Sequence, residues 1–178
     1  MIQRIILSGF GGQGVLTAGL IVAEAAVLGG YKATYFPSYG AEMRGGTANC
    51  HVVVSDEEIA SPVISEADAL IAISKPALLK FMPKVKAKGL VLANVSGWEE
   101  KIEEKEMDII KLPFEEMALN KLENSKIANV IMIGTYIKKT GLLKVDDVKT
   151  VLKSKFSRKG ERVVSLNFQA IDIGFKAI

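Results

Sequence analysis

The chain has 178 residues, 49% of them apolar and 24% charged with both signs interspersed, which is the make-up of one ordinary domain and excludes a disordered chain. Its formal net charge is only +3 and its lysines are spread over the second half, so a concentrated nucleic-acid-binding face of basic and aromatic residues is not implied. No run nears the ~20 apolar residues of a membrane helix, and the Ile5 to Ser8 stretch meets glycines too early for a signal-peptide core, so the expected compartment is the cytoplasm.

Gln3 to Ser8 is a short isoleucine-rich run, followed at once by Gly9-Phe10-Gly11-Gly12-Gln13-Gly14 and an alanine-rich apolar stretch from Val15 to Leu28. That order predicts strand, tight glycine turn and helix. Gly29-Gly30 predicts the helix stop, and the alternating, aromatic stretch Tyr31 to Phe36 a second strand. The opening residues therefore predict a Rossmann-like βαβ unit with a right-handed crossover and a parallel sheet. Pro37 to Gly46 predicts a loop, and the β-branched run Thr47 to Ser55 a strand that can lie antiparallel to its neighbours. Ala69 to Ser74 and Gly89 to Ala93 predict buried strands, with a helix opened by Lys75-Pro76 between them. Glu99 to Met107 is charged and expected at the surface, Asp108 to Leu112 predicts a strand, and Pro113 to Leu119 a short helix. Ala128 to Lys139 is apolar almost all round, which predicts a helix buried in the core or against another chain. Leu143 to Leu152 and Lys159 to Lys176 predict two amphipathic helices, the second with Val163, Leu166, Ala170, Ile173 and Ala177 on one face. The whole predicts an α/β fold, one domain over residues 1–178, its mostly parallel sheet flanked by helices.

The Gly9, Gly11, Gly12, Gln13, Gly14 segment satisfies G-x-G-x-x-G between a strand and a helix, a context suited to anion binding. A P-loop is excluded, because Val15-Leu16 stands where Lys and Ser or Thr are needed. Nicotinamide binding is disfavoured, because Tyr35-Phe36-Pro37-Ser38 offers no ribose-binding acid. The same glycines can instead serve close packing of helix on strand. Arg44, beside Glu42 and flanked by Gly40 and Gly45-Gly46, can grip a carboxylate or phosphate, or form a plain surface pair. A single cysteine, Cys50, and a single histidine, His51, cannot supply an iron–sulfur cluster or a typical zinc site, and no internal disulfide can form. His51 is expected to be a structural strand residue, and Trp98 and Tyr39 packing or interface residues.

Gly9-Phe10-Gly11-Gly12-Gln13-Gly14-Val15, followed by Ser38-Tyr39-Gly40-Ala41-Glu42-Met43-Arg44-Gly45-Gly46-Thr47-Ala48-Asn49-Cys50, resembles the gamma subunit of 2-oxoacid:ferredoxin oxidoreductases. Asp68 to Ala72, Asn129 to Gly134 and Thr140 to Leu143 extend the resemblance over most of the chain, and the Glu42-Met43-Arg44 form looks most like the 2-oxoglutarate enzyme, with the branched-chain 2-oxoacid enzymes left open. The resemblance implies a catalytically silent subunit of a multisubunit enzyme that converts a 2-oxoacid and coenzyme A to acyl-CoA, carbon dioxide and reduced ferredoxin, or runs the reverse carboxylation. It implies alpha and beta partner subunits, a ferredoxin-like delta subunit, and thiamine diphosphate and [4Fe-4S] clusters carried by those partners. It makes Gly9 to Gly14 and Arg44 candidate coenzyme A or interface contacts. Two alternatives stay open: a free-standing CoA- or nucleotide-binding enzyme, and a purely structural subunit.

Overall fold

The computed structural model describes residues 1–39, 47–98 and 106–178; the predicted loop residues Glu42 and Arg44, and residues 99–105 of the charged stretch, lie outside them. Among the described residues six strands form one sheet in the order β2-β3-β1-β4-β5-β6. They are β1 (Ile2–Phe10), β2 (Lys32–Tyr39), β3 (Thr47–Ser55), β4 (Ala67–Ala72), β5 (Val85–Asn94) and β6 (Asp108–Leu112). Strands β1, β4, β5 and β6 pair in parallel, while β3 lies antiparallel between β1 and β2. The helices are α1 (Val15–Leu28), α2 (Lys75–Phe81), α3 (Phe114–Leu122), α4 (Ala128–Thr140), α5 (Val145–Phe156) and α6 (Glu161–Phe175). None of them is long and apolar enough to cross a membrane.

The period-two alternation of the strands divides the core into two layers. Ile5, Leu7, Cys50, Val52, Val54, Ala69, Ile71 and Leu92 face the layer covered by α1, α3, α4, α5 and α6. Ile6, Val53, Leu70, Ala72, Val91 and Ala93 face the layer covered by α2. The expected α/β architecture is therefore present, but β1 and β2 are not neighbours. The slot between them goes to β3, whose β-branched residues are buried on both faces, and β2 takes the edge. That edge position explains a second difference: the strand runs through Pro37 to Tyr39 instead of stopping at Phe36, because an edge strand has a free side on which a missing N–H is harmless.

Helix α4 is buried from Ala128 through Ile137 by its own chain, so its apolar surface gives no support to a partner interface there. It lies against α6 at a glycine-to-glycine contact: a Cβ on Gly134 would overlap the Ile171 carbonyl oxygen, and one on Gly174 the Ile131 carbonyl. Thr135 Oγ1 donates to Gly174 O at 3.0 Å across the same contact. This approach turns α6 away from the expected face. Asn167, Ala170, Ile171 and Gly174 are buried, while Val163, Leu166, Ile173 and Ala177 are only partly covered. An apolar period could not reveal a face whose key members are glycine and asparagine.

Gly174→Ala should force α6 off α4 and lower stability by about 2 kcal/mol, a fall of roughly 5 °C in Tm for a domain of this size. A thermal melt unchanged from that of the native chain would contradict the close packing.

Candidate functional site

Strands β1 and β4 are parallel neighbours, yet α1 leaves β1 for one face of the sheet and α2 leaves β4 for the other. Such a divergence opens a crevice beyond the carboxyl ends of the strands, the place where open α/β sheets bind ligands. The glycine segment forms one bank of it. Gly9 and Phe10 belong to β1, pairing with Ala48 and Thr47, so the turn proper is Gly11 to Gly14. Gln13 N donates to Phe10 O at 3.2 Å, and the Gln13 side chain folds back so that its Oε1 accepts from Phe10 N at 2.8 Å.

The glycines serve different purposes. A Cβ on Gly9 would stand 2.7 Å from Gln13 Oε1 and 2.9 Å from Val15 Cγ2, so this glycine lets strand, turn and helix close on one another. Gly14 is left-handed, with φ 72°, and caps the N-terminus of α1; a Cβ there would overlap the Asn129 side-chain amide. Asn129 Nδ2 donates to Gly14 O at 3.1 Å, which fastens the turn to buried α4. Gly12 has φ 100° and open space around it, so it faces the crevice with no packing partner. The first turn of α1 carries no acidic residue, and the amides that open a helix lack intrahelical partners, which makes the Gly12 side of the turn hospitable to an anion.

The other bank and the floor come from β4, β5 and α3. Ile73 N donates to Ser8 O at 2.8 Å, tying the ends of β1 and β4 together. Buried Asn94 donates from Nδ2 to Ile73 O at 3.1 Å, and its Oδ1 accepts from Ser96 Oγ at 2.8 Å. Ser96 Oγ accepts in turn from Glu115 N at 3.1 Å and Glu116 N at 3.3 Å. Helix α3, which opens after Pro113, is thus capped from the segment that follows β5, which engages its Glu115 and Glu116 amides. Trp98 Nε1 donates to Asn94 O at 2.9 Å, and Lys75 Nζ lies 5.7 Å from the indole centre. Among the described residues, two clefts lie in the crevice. One of about 280 Å³ is lined by Phe10, Gln13, Ser74, Lys75, Trp98 and Glu115, among others, and one of about 180 Å³ by Gly12, Gln13, Glu115, Ser125 and Lys126, among others. Ser74 Oγ, on the larger one, is buried without a hydrogen-bond partner.

Cys50 and His51 take no part in this crevice; they pair with Leu7 and Ile6 in the middle of the sheet. Cys50 Sγ points at Val15 O at 3.6 Å, and burial pushes its thiol up to about 12, leaving no useful thiolate near neutrality. His51 is the structural residue expected: its Nδ1 accepts from Ile64 N at 3.0 Å. Burial first, and the Lys84 charge second, hold its pKa below the usual histidine value. Trp98 packs as expected, against the α2 layer of the core. Asn94, Ser96, Glu115 and Asn129 are among the members of the site that the sequence pattern does not single out. Asn129 had left one signal, a lone amide at the head of an otherwise apolar helix.

Below the unfolded pKa of about 6.5, the unfolded chain binds a proton at His51 that the folded chain refuses, so stability present above that pH is lost as the pH falls. Denaturant melts from pH 7.5 to 5 should show His51→Gln flattening this slope, and parallel curves for the two proteins would contradict it. Asn129→Ala, which frees the Gly14 carbonyl and leaves a small cavity, should lower stability by about 1–2 kcal/mol in the same melts.

A family model described as pyruvate ferredoxin/flavodoxin oxidoreductase matches residues 4–177. The chain is 34% identical over 176 residues to the 2-oxoglutarate synthase subunit KorC of Methanothermobacter marburgensis, covering 96% of this chain and 95% of that protein. It is 33% identical over 178 residues to the ketoisovalerate oxidoreductase subunit VorA of Methanothermobacter thermautotrophicus, covering 96% of this chain but 35% of that longer protein. Among solved structures it superimposes on the gamma subunit of a keto/oxoacid ferredoxin oxidoreductase from Geobacter sulfurreducens with a TM-score of 0.82 and 30% identity, over 98% of this chain and 96% of that one.

Proposed function

The chain belongs to the pyruvate ferredoxin/flavodoxin oxidoreductase family, and from that footing we propose that it is the gamma-type subunit of a 2-oxoacid:ferredoxin oxidoreductase acting on 2-oxoglutarate. The observation that carries this reading is the end-to-end likeness to KorC, which spans 96% of this chain and 95% of that subunit. In this reading residues 1–178 form one gamma-type domain that assembles with alpha, beta and ferredoxin-like delta subunits. The complex converts 2-oxoglutarate and coenzyme A to succinyl-CoA and carbon dioxide and passes electrons to ferredoxin.

The division of labour rests on what ordinary side chains lack. Decarboxylation needs an electron sink and oxidation needs a redox centre, which thiamine diphosphate and [4Fe-4S] clusters on the partner subunits supply. This chain's one cysteine is buried between β3 and α1 and its one histidine is held inside the sheet, so neither is available to such groups. By itself the chain is inactive. Its own contribution is to hold coenzyme A at the switch-point crevice, with the phosphates against the Gly11–Gly14 turn. Gly9 and Gly14 have packing reasons to be glycine; Gly12 has a positive φ and no packing neighbour, and its open approach leaves room for a ligand. Arg44, outside the described residues, is assigned a second anion contact or an interface role.

Chain carrying a tag and drawn anaerobically from its native cells should bring its partners with it, and the eluate should reduce a viologen dye with 2-oxoglutarate and CoA. Pyruvate or a branched-chain 2-oxoacid as the active substrate would move the specificity, and a lone inactive chain would point to a free-standing CoA- or nucleotide-binding protein. In the same complex, Gly12→Asp places a carboxylate where the phosphates bind. It should raise the KM for CoA roughly tenfold or more and leave that for the 2-oxoacid unchanged. An unchanged KM for CoA in an intact complex would favour the purely structural subunit.

A further inference from the structure

The two clefts of the crevice share three wall residues, Gln13, Ile73 and Glu115. Across their common wall runs one hydrogen bond, from Gln13 Nε2 to Glu115 Oε1 at 3.1 Å, joining residues 102 positions apart. At about 180 and 280 Å³, neither cleft reaches the ~300–1,000 Å³ usual for small-molecule sites, whereas the two joined fall inside that range.

We propose that the Gln13–Glu115 hydrogen bond is a gate, whose opening merges the clefts into one groove for an extended ligand with a phosphate at the glycine turn. This rests on the coenzyme A reading of the crevice and adds its regulation. The opened groove runs along the carboxyl ends of β1, β4 and β5, from Lys126 at one end to Lys75 and Trp98 at the other. Closed, it presents the Glu115 carboxylate beside a turn that favours anions, so an arriving phosphate meets a like charge. Open, it removes that charge and frees Gln13 Nε2 to donate to a phosphate oxygen, so no donor is stranded by the exchange.

The anchors of the gate lie apart from its moving parts. Glu115 N is held by Asn94 Oδ1 at 3.3 Å and Ser96 Oγ at 3.1 Å, so the carboxylate can swing while α3 stays in place. Gln13 Oε1 stays on Phe10 N at 2.8 Å, so the turn keeps its shape. A rigid strut that merely supports the turn would have the same geometry at rest. Cutting the bond separates the two, because loss of a gate tightens the ligand and loss of a strut loosens it.

The test is the dissociation constant of CoA for the assembled complex without 2-oxoacid, by titration calorimetry, with inorganic pyrophosphate as a probe short enough for one cleft. Glu115→Ala keeps the backbone cap of α3 and cuts the gate; it should tighten CoA roughly tenfold, about 1.4 kcal/mol, and change pyrophosphate less than about threefold. Glu115→Gln keeps an oxygen acceptor for Gln13 and should tighten CoA much less. Weaker or unchanged CoA binding by Glu115→Ala would overturn the gate in favour of the strut, and equal tightening by both variants would reduce it to charge alone. If the native complex and every variant fail to bind CoA, the coenzyme A reading itself falls and the gate with it. Should Glu115→Ala fold poorly, Glu115→Ser cuts the same bond and is read in the same way.

Discussion

Two parallel strands end side by side and send their helices to opposite faces of one sheet, and the candidate site depends on that divergence. Were α1 and α2 to leave β1 and β4 on the same side, their connections would close over the strand ends. Because they part, the end of the sheet is left as a crevice, and the chain has to build its banks from short turns. The Ile73 to Ser8 hydrogen bond at 2.8 Å holds the two strand ends together at the point of divergence. Three later elements are tied to that point or to the turn beside it: β5 through Asn94, α3 through Ser96 and Glu115, α4 through Asn129.

Two of the helix N-termini at the crevice, those of α3 and α1, are treated in opposite ways. The Glu115 and Glu116 amides of α3 are satisfied by Asn94 and Ser96, side chains of another segment. The turn before α1 is instead shaped by backbone conformation, with left-handed Gly14 and open Gly12, and the first turn of the helix has no acid to compete for it. Of these two, the α3 end has amides already engaged and the α1 end has its amides left available to an anion. Glu115 is the exception, a carboxylate standing close to the available end, which is why its bond to Gln13 draws a functional explanation and not only a structural one.

Local pattern made much of this legible in the sequence. The strand-glycine-helix opening, the antiparallel β3 and the apolar α4 each arise from periodicities that a short window contains. What escaped was set by contacts distant in sequence. The insertion of β3 between β1 and β2 depends on which strand can be buried on both faces, and the reach of β2 through Pro37 depends on its being an edge. The buried face of α6 is set by Gly134 and Gly174 meeting across 40 positions, a close approach that hydrophobicity does not encode. The same holds at the site. The glycines were found because their spacing is local, whereas Asn94, Ser96, Glu115 and Asn129 matter only once the fold has brought them to the turn.

The central claim is that the glycine turn at the switch point receives coenzyme A, and amide hydrogen exchange on the assembled complex tests it most directly. Added CoA should slow exchange in peptides covering residues 9–16 and 73–76, with residues 94–98 also protected because Asn94 links them to the floor of the crevice. Unchanged exchange at the turn, with protection appearing only on other parts of this chain or on partner subunits, would contradict it.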